Sequence, residues 1–200
     1  IKHYPVEYHA QTAVEAALAV RNDLLKAEGD DAPGFITAIE IGSYDVAIEI
    51  IGRDPEKWRP LTRETADHSF PYCVVAALLD GTITLRSFET RRLADPRLHA
   101  LMQKVRVVPE SDFAGRYPHA MPTRVTVRTA AGHVYRQEVD HPLGHPKHPM
   151  SDGQVEEKFR VLAGRRLDRA RVRKLMQSVW TLERLKDIGA LMPLLRIPTG

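Results

Sequence analysis

The sequence contains one cysteine in 200 residues, Cys73, which excludes an internal disulfide and any zinc site built from several thiolates, and points to a reducing compartment. No stretch reaches the roughly 18 uninterrupted apolar residues that a membrane span requires. There is no Gly-x-Gly-x-x-Gly, P-loop, Gly-x-Ser-x-Gly or His-Glu-x-x-His, so dinucleotide enzymes, phosphate-loop NTPases, α/β-hydrolases and zincins all lose ground. Internal repeats and low-complexity tracts are also missing. The first residues, Ile1-Lys2-His3-Tyr4-Pro5, lack the apolar core and cleavage site of a signal peptide. They also lack an initiating Met, so a piece of a longer protein is the expectation.

What is present fits a folded chain. Hydrophobic residues make up 43% and charged residues 28%, a globular balance with enough apolar material for one domain or slightly more. A formal charge of +3 suits small anions as well as nucleic acid and selects neither.

Local patterns predict a mixed body followed by a helical tail. Thr12 and Glu15 have capping-box spacing and predict a helix from about Thr12 to Lys26, stopped by Gly29. Phe35 to Ile41 reads as a strand, and Ser43 as the cap of a short helix over 44–51. A largely apolar, buried helix is expected over about 67–79, with Pro71 in its first turn and Gly81 at its end. Asp95-Pro96 opens another helix, and Val105 to Val108 follows as a strand. Arg124–Arg128 and His133–Val139 alternate around Ala131-Gly132 as a β-hairpin. Ser151 and Gln154 form a second capping box, with helices expected over about 151–163, 167–178 and 181–192. The fold class is therefore α+β, with a body over 1–148 and an all-helical tail over 149–200. Three short helices bury little against each other, so the tail is expected to pack on something more.

Few residues suggest chemistry. His141, His145 and His148 have no cysteine and few carboxylates nearby, so a solvated connecting loop is preferred over a metal site. The tail basics from Arg160 to Lys174 have no interleaved aromatics for base stacking, and a solvated helix face is preferred over a nucleic-acid surface. Cys73, in an apolar helix, reads as an inert thiol. Two polar stretches that run into helix starts carry more: residues 2–11 and residues 65–72. Helix N-termini offer free N–H groups and a positive dipole end to carboxylates. Lys2, His9, His68 and Tyr72 add cationic or hydrogen-bonding groups beside them. If the two starts converge, the site suits a polycarboxylate; the alternative is ordinary capping with surface histidines.

At these residues the chain resembles the MmgE/PrpD family, whose members include 2-methylcitrate dehydratase, cis-aconitate decarboxylase and an iminodisuccinate epimerase. The likeness is carried by residues 4–17, from Tyr4-Pro5-Val6-Glu7-Tyr8-His9 to Ala17, and by Thr65-Ala66-Asp67-His68-Ser69-Phe70-Pro71-Tyr72. Leu79-Asp80-Gly81, Asp95-Pro96-Arg97, Gly144-His145-Pro146 and Glu157-Lys158-Phe159 add to it.

The resemblance implies an α+β lid domain over 1–148. It further implies that the helices over 149–200 pack on an N-terminal helical domain lying outside this chain. It implies a cytoplasmic lyase, homodimeric at full length, that removes a proton beside a carboxylate and expels water without metal or nucleotide. Its substrate would be a 2-methylcitrate-like tri- or dicarboxylate, with no nucleic-acid or membrane partner. Isomerase, epimerase or decarboxylase activity on the same scaffold is the alternative. By the same resemblance Lys2, Tyr72, His9 and His68 are the catalytic candidates, and Glu7, Gln11, Asp67 and Ser69 bind substrate. Glu7 stands where the decarboxylase branch carries histidine, which favours the dehydratase-like branch.

Overall fold

The computed structural model describes residues 1–197; the last three positions of the expected tail lie outside the described residues. The helices and strands are α1 (Ala10–Glu28), β1 (Ile36–Ser43), α2 (Asp45–Ile51), α3 (Arg63–Asp67), α4 (Phe70–Asp80), α5 (Thr90–Leu93), α6 (Pro96–Met102), β2 (Val105–Pro109), β3 (Thr123–Thr129), β4 (Val134–Val139), α7 (Asp152–Ala163), α8 (Arg169–Trp180) and α9 (Met192–Leu195). They divide into two compact units, Ile1–Pro149 and Met150–Gly200.

The first unit is an α+β domain. Its four-stranded sheet has the order β2-β1-β3-β4. β1 pairs parallel with β2 and antiparallel with β3, and β3 with β4 forms the hairpin expected from the alternation. A parallel neighbour demands a long crossover, and here it comprises α2 to α6. Ile39 and Ile41 of β1 and Val125 and Val127 of β3 are buried, and α1 lies across β3 and β4.

α4 is the centre of the core. Ser69 Oγ accepts the Tyr72 N–H at 3.1 Å, Pro71 sits in the first turn, and Gly81 closes the helix at φ 68°. Every residue from Phe70 to Leu78 is buried, so this helix is apolar all round. Burial of side chains such as Phe70 and Leu78 contributes about 1.5–3 kcal/mol each. α6 opens with the Asp95 side chain accepting the Arg97 N–H at 2.9 Å, ahead of Pro96, as expected.

Three local expectations change. α1 begins at Ala10 rather than Thr12, and Thr12 is a buried helical residue whose hydroxyl meets the Thr123 hydroxyl at 2.9 Å. Glu15 instead accepts the Leu143 N–H at 2.8 Å, so the anticipated capping box does not form. Ser43 ends β1 rather than capping α2, because its hydroxyl is drawn to the Pro122 carbonyl oxygen at 3.2 Å.

The second unit opens with the expected capping box: Ser151 Oγ accepts the Gln154 N–H, and Gln154 Oε1 accepts the Ser151 N–H at 2.8 Å. Its third helix is broken into 3₁₀ turns over Leu182–Arg184 and Ile188–Leu191, followed by α9. Asp187, in extended conformation, restarts the chain by accepting the Gly189 N–H at 2.8 Å.

Candidate functional site

The two stretches preceding α1 and α4 meet. The Glu7 N–H donates to the Asp67 carbonyl oxygen at 2.9 Å. Farther along, Arg21 Nε donates to the Leu78 carbonyl oxygen at 3.0 Å. Contacts at both levels mean that α1 and α4 run side by side in the same direction, with their positive dipole ends together at one side of the first unit.

The first stretch is folded back by Gln11, a residue only 1% exposed. Its Oε1 accepts the Tyr4 N–H at 3.1 Å, while Nε2 donates to the carbonyl oxygens of Tyr4 at 2.9 Å and Val6 at 3.1 Å. Lys2, exposed, donates from Nζ to that same Val6 carbonyl at 2.9 Å. Tyr4 is held against this turn, where burial first and Glu15 second push its phenol up to about 12. Gln11 thus organises the backbone, and Lys2 places an ammonium group beside the same turn.

Glu7 and His9 lie at the entry to α1. Glu7 Oε2 accepts the His9 N–H at 2.6 Å, and His9 Nδ1 is hydrogen-bonded to the Tyr44 hydroxyl. His9 and Tyr44 are buried, and the Tyr44 ring stacks on Tyr117 with centroids 4.9 Å apart. Burial, then Tyr117 and Glu7, drive the Tyr44 phenol well above its usual range, so it stays protonated. Tyr44 and Tyr117 were not among the residues expected from sequence. They come from the strand–helix junction before α2 and from the segment before β3, and no local pattern marks either.

Asp67 and His68 close α3. His68 Nδ1 lies 2.5 Å from Asp67 Oδ1 and 3.1 Å from the Glu64 carbonyl oxygen, and the side chain is 44% exposed. Ser69 and Tyr72 turn inward. Ser69 Oγ donates to the Lys57 carbonyl oxygen at 2.5 Å, and the Tyr72 hydroxyl donates to the Ser87 carbonyl oxygen at 2.5 Å. Tyr72 is wholly enclosed in this unit, and burial holds its phenol above the ordinary value. Cys73 is buried beside it, where desolvation raises its thiol and keeps it protonated. The structure therefore brings Glu7, His9, Asp67 and His68 to one end of the helix pair, with Lys2 and Gln11 on the adjoining turn. It places Ser69 and Tyr72 in the first turn of α4 with their hydroxyl protons already engaged.

Elsewhere the His141 and His145 rings stack with centroids 4.7 Å apart. Desolvation, then His141 and Lys147, lower the His145 imidazole. His148 Nδ1 is 3.1 Å from the His141 carbonyl oxygen. Among the described residues no three His, Cys, Asp or Glu side chains come close enough to share a metal ion. In the tail Arg160 pairs with Glu156 and Glu157, and Arg171 pairs with Asp168. An open groove of about 840 Å³ between α7 and α8 is lined by residues of both signs, Glu157, Arg160, Asp168 and Arg173, together with the apolar Val172 and Met176. No helix among the described residues is long and apolar enough to cross a membrane.

The family model for the MmgE/PrpD C-terminal domain matches residues 4–182. A 2-methylcitrate dehydratase from Cupriavidus necator is 35% identical over 171 residues, covering 82% of this chain and 34% of that protein. A cis-aconitate decarboxylase from Mus musculus is 29% identical over 199 residues, covering 99% of this chain and 39% of its own. The 2-methylcitrate dehydratase of Escherichia coli (strain K12) is 26% identical over 192 residues, covering 92% and 38%. The chain spans between a third and two-fifths of the length of these curated relatives.

Proposed function

Since the chain belongs to the MmgE/PrpD family, as its C-terminal domain, we propose that it is part of a lyase that dehydrates a 2-methylcitrate-like tri- or dicarboxylate without a cofactor. The observation that carries this reading is the backbone hydrogen bond between Glu7 and Asp67, which brings the positive ends of two helices together beside the Lys2 ammonium group.

A carbon beside a carboxylate is a very weak acid, so the enzyme must neutralise the charge that builds up as the proton leaves. Lys2, with the two dipole ends, supplies that neutralisation, and His9 adds a hydrogen bond to the same carboxylate. His68, half-exposed and held by Asp67, handles the transferred proton. Tyr72 is the second proton carrier in this reading, acting only after releasing the Ser87 carbonyl. Glu7 and Gln11 shape the site through the backbone, as does Ser69 from the start of α4. The rest of the active site comes from a helical domain contributed by the remainder of the protein, which is homodimeric. The apolar residues left exposed on the second unit, among them Phe159, Val179 and Ile188, support such docking.

The test uses the complete protein that carries this domain. Incubated with 2-methylcitrate and related acids, it is expected to generate the ultraviolet absorbance of a new conjugated alkene, with every carboxylate retained by NMR. Release of carbon dioxide would instead assign a decarboxylase, and an isomer formed without loss of water an epimerase. A folded protein that leaves all such acids unchanged would refute the reading.

A further inference from the structure

The two histidines at the joined helix starts have different partners on Nδ1, and the difference fixes where each keeps its proton. His68 Nδ1 faces two acceptors, the Asp67 carboxylate oxygen at 2.5 Å and the Glu64 carbonyl oxygen at 3.1 Å. Neither can donate, so Nδ1 must carry hydrogen, and a neutral His68 has its lone pair on Nε2. His9 is the reverse. Its Nδ1 meets only the Tyr44 hydroxyl, and that hydroxyl has no other acceptor among the described residues. If His9 Nδ1 held the proton, the buried Tyr44 O–H would be left unpaired, at a cost of about 1–3 kcal/mol. The arrangement that satisfies both groups has Tyr44 donating to a bare Nδ1, with the His9 proton on Nε2.

We infer that Tyr44 and Asp67 are positioning residues that hold His9 and His68 in opposite tautomers, so that one helix start presents an imidazole Nε2–H donor and the other an imidazole Nε2 acceptor. Resting on the lyase reading, this assigns the roles. His9 donates a hydrogen bond to the substrate carboxylate as its charge grows. His68 Nε2 takes the proton from the adjacent carbon; as the C–O bond breaks, hydroxide leaves and recovers that proton as water. The sequence motifs name both histidines, but neither tautomer follows from them. Tyr44 lies 35 residues from His9 along the chain.

The experiment is long-range ¹H–¹⁵N correlation on the ¹⁵N-labelled chain at about pH 8, above the ordinary imidazole value near 6.5. His9 is expected to show a protonated Nε2 and His68 a protonated Nδ1. Tyr44→Phe, which keeps the ring stacked on Tyr117, is expected to shift the His9 nitrogens toward a tautomer mixture and leave His68 unchanged. Asp67→Asn is expected to leave His9 unchanged and to keep the His68 proton on Nδ1, because the Glu64 carbonyl oxygen still accepts there; a His68 proton on Nε2 in the parent chain would overturn the assignment. The same tautomer at both histidines, or a proton on His9 Nδ1, overturns the inference. This readout needs no turnover, so failure of the lyase reading leaves it decisive. In an active complete protein, Tyr44→Phe is expected to lower kcat about tenfold, and to add nothing to the loss in His9→Ala; additive losses would overturn the coupling.

Discussion

Replacing Gln11 by leucine keeps the side-chain volume within the core and removes its hydrogen bonds. In the folded chain Gln11 satisfies the Tyr4 N–H, the Tyr4 carbonyl and, shared with Lys2, the Val6 carbonyl. The variant leaves both Tyr4 groups without their partner, whereas the Val6 carbonyl retains Lys2 Nζ at 2.9 Å. Two partly buried backbone groups at roughly 1–2 kcal/mol each give an expected loss of about 2–4 kcal/mol. With a urea slope near 2 kcal/mol per molar, the midpoint should fall by about 1–2 M.

The two units need not unfold together, so the assay must report on the first alone. The chain has two tryptophans, Trp58 in the first unit and Trp180 in the second. In a Trp180→Phe background the fluorescence of Trp58, partly buried and bonded through Nε1 to the Gly52 carbonyl at 3.1 Å, follows the first unit only. Lys2→Ala in the same background is the control. Its ammonium is exposed and its acceptor keeps Gln11, so the midpoint should shift by less than about 0.3 M. If Gln11→Leu behaves like Lys2→Ala, Gln11 does not organise the turn and the account of the joined helix starts fails.

Two further perturbations probe the frame around the site. Hydrogen bonds from Arg97 and the charges of Arg92 and Arg97 hold the Asp95 carboxyl at about 2. Its stabilisation is therefore complete above the unfolded value near 3.9 and lost as pH falls through about 2. Asp95→Asn should lower the thermal midpoint at pH 6, and the gap from the parent should close between about pH 4 and pH 2 in calorimetry; a gap independent of pH counts against the assignment. A Cβ on Gly42 would stand 2.3–2.8 Å from the Glu110 side chain, which is paired with Arg124 at 3.0 Å. Gly42→Ala should displace Glu110 and cost about 1–3 kcal/mol by urea unfolding, and Glu110→Ala should relieve most of that cost.

Short-range chemistry wrote much of this protein plainly. Pro71 and Gly81 bracket α4, Asp95-Pro96 opens α6, Ser151 with Gln154 caps α7, and the alternation around Ala131-Gly132 makes the hairpin. Each signal is satisfied within a few residues, so it survives in any tertiary setting. Where local spacing misleads, a distant partner has taken over a local group. Thr12 has the spacing of a cap, yet its hydroxyl is claimed by Thr123, 111 residues on. Ser43 likewise gives its hydroxyl to Pro122, 79 residues on, instead of capping α2.

The candidate site divides along the same line. The polar stretches before α1 and α4 can be picked out from residue types alone, because helix starts with nearby Lys and His are a local feature. That Glu7 and Asp67 touch, that Tyr44 governs His9, and that the Tyr72 hydroxyl donates a hydrogen bond to the Ser87 carbonyl were decided only by tertiary packing. Side-chain periodicity tells a helix which face to bury, but not which neighbour will meet it, and the chemistry of a histidine depends on that neighbour.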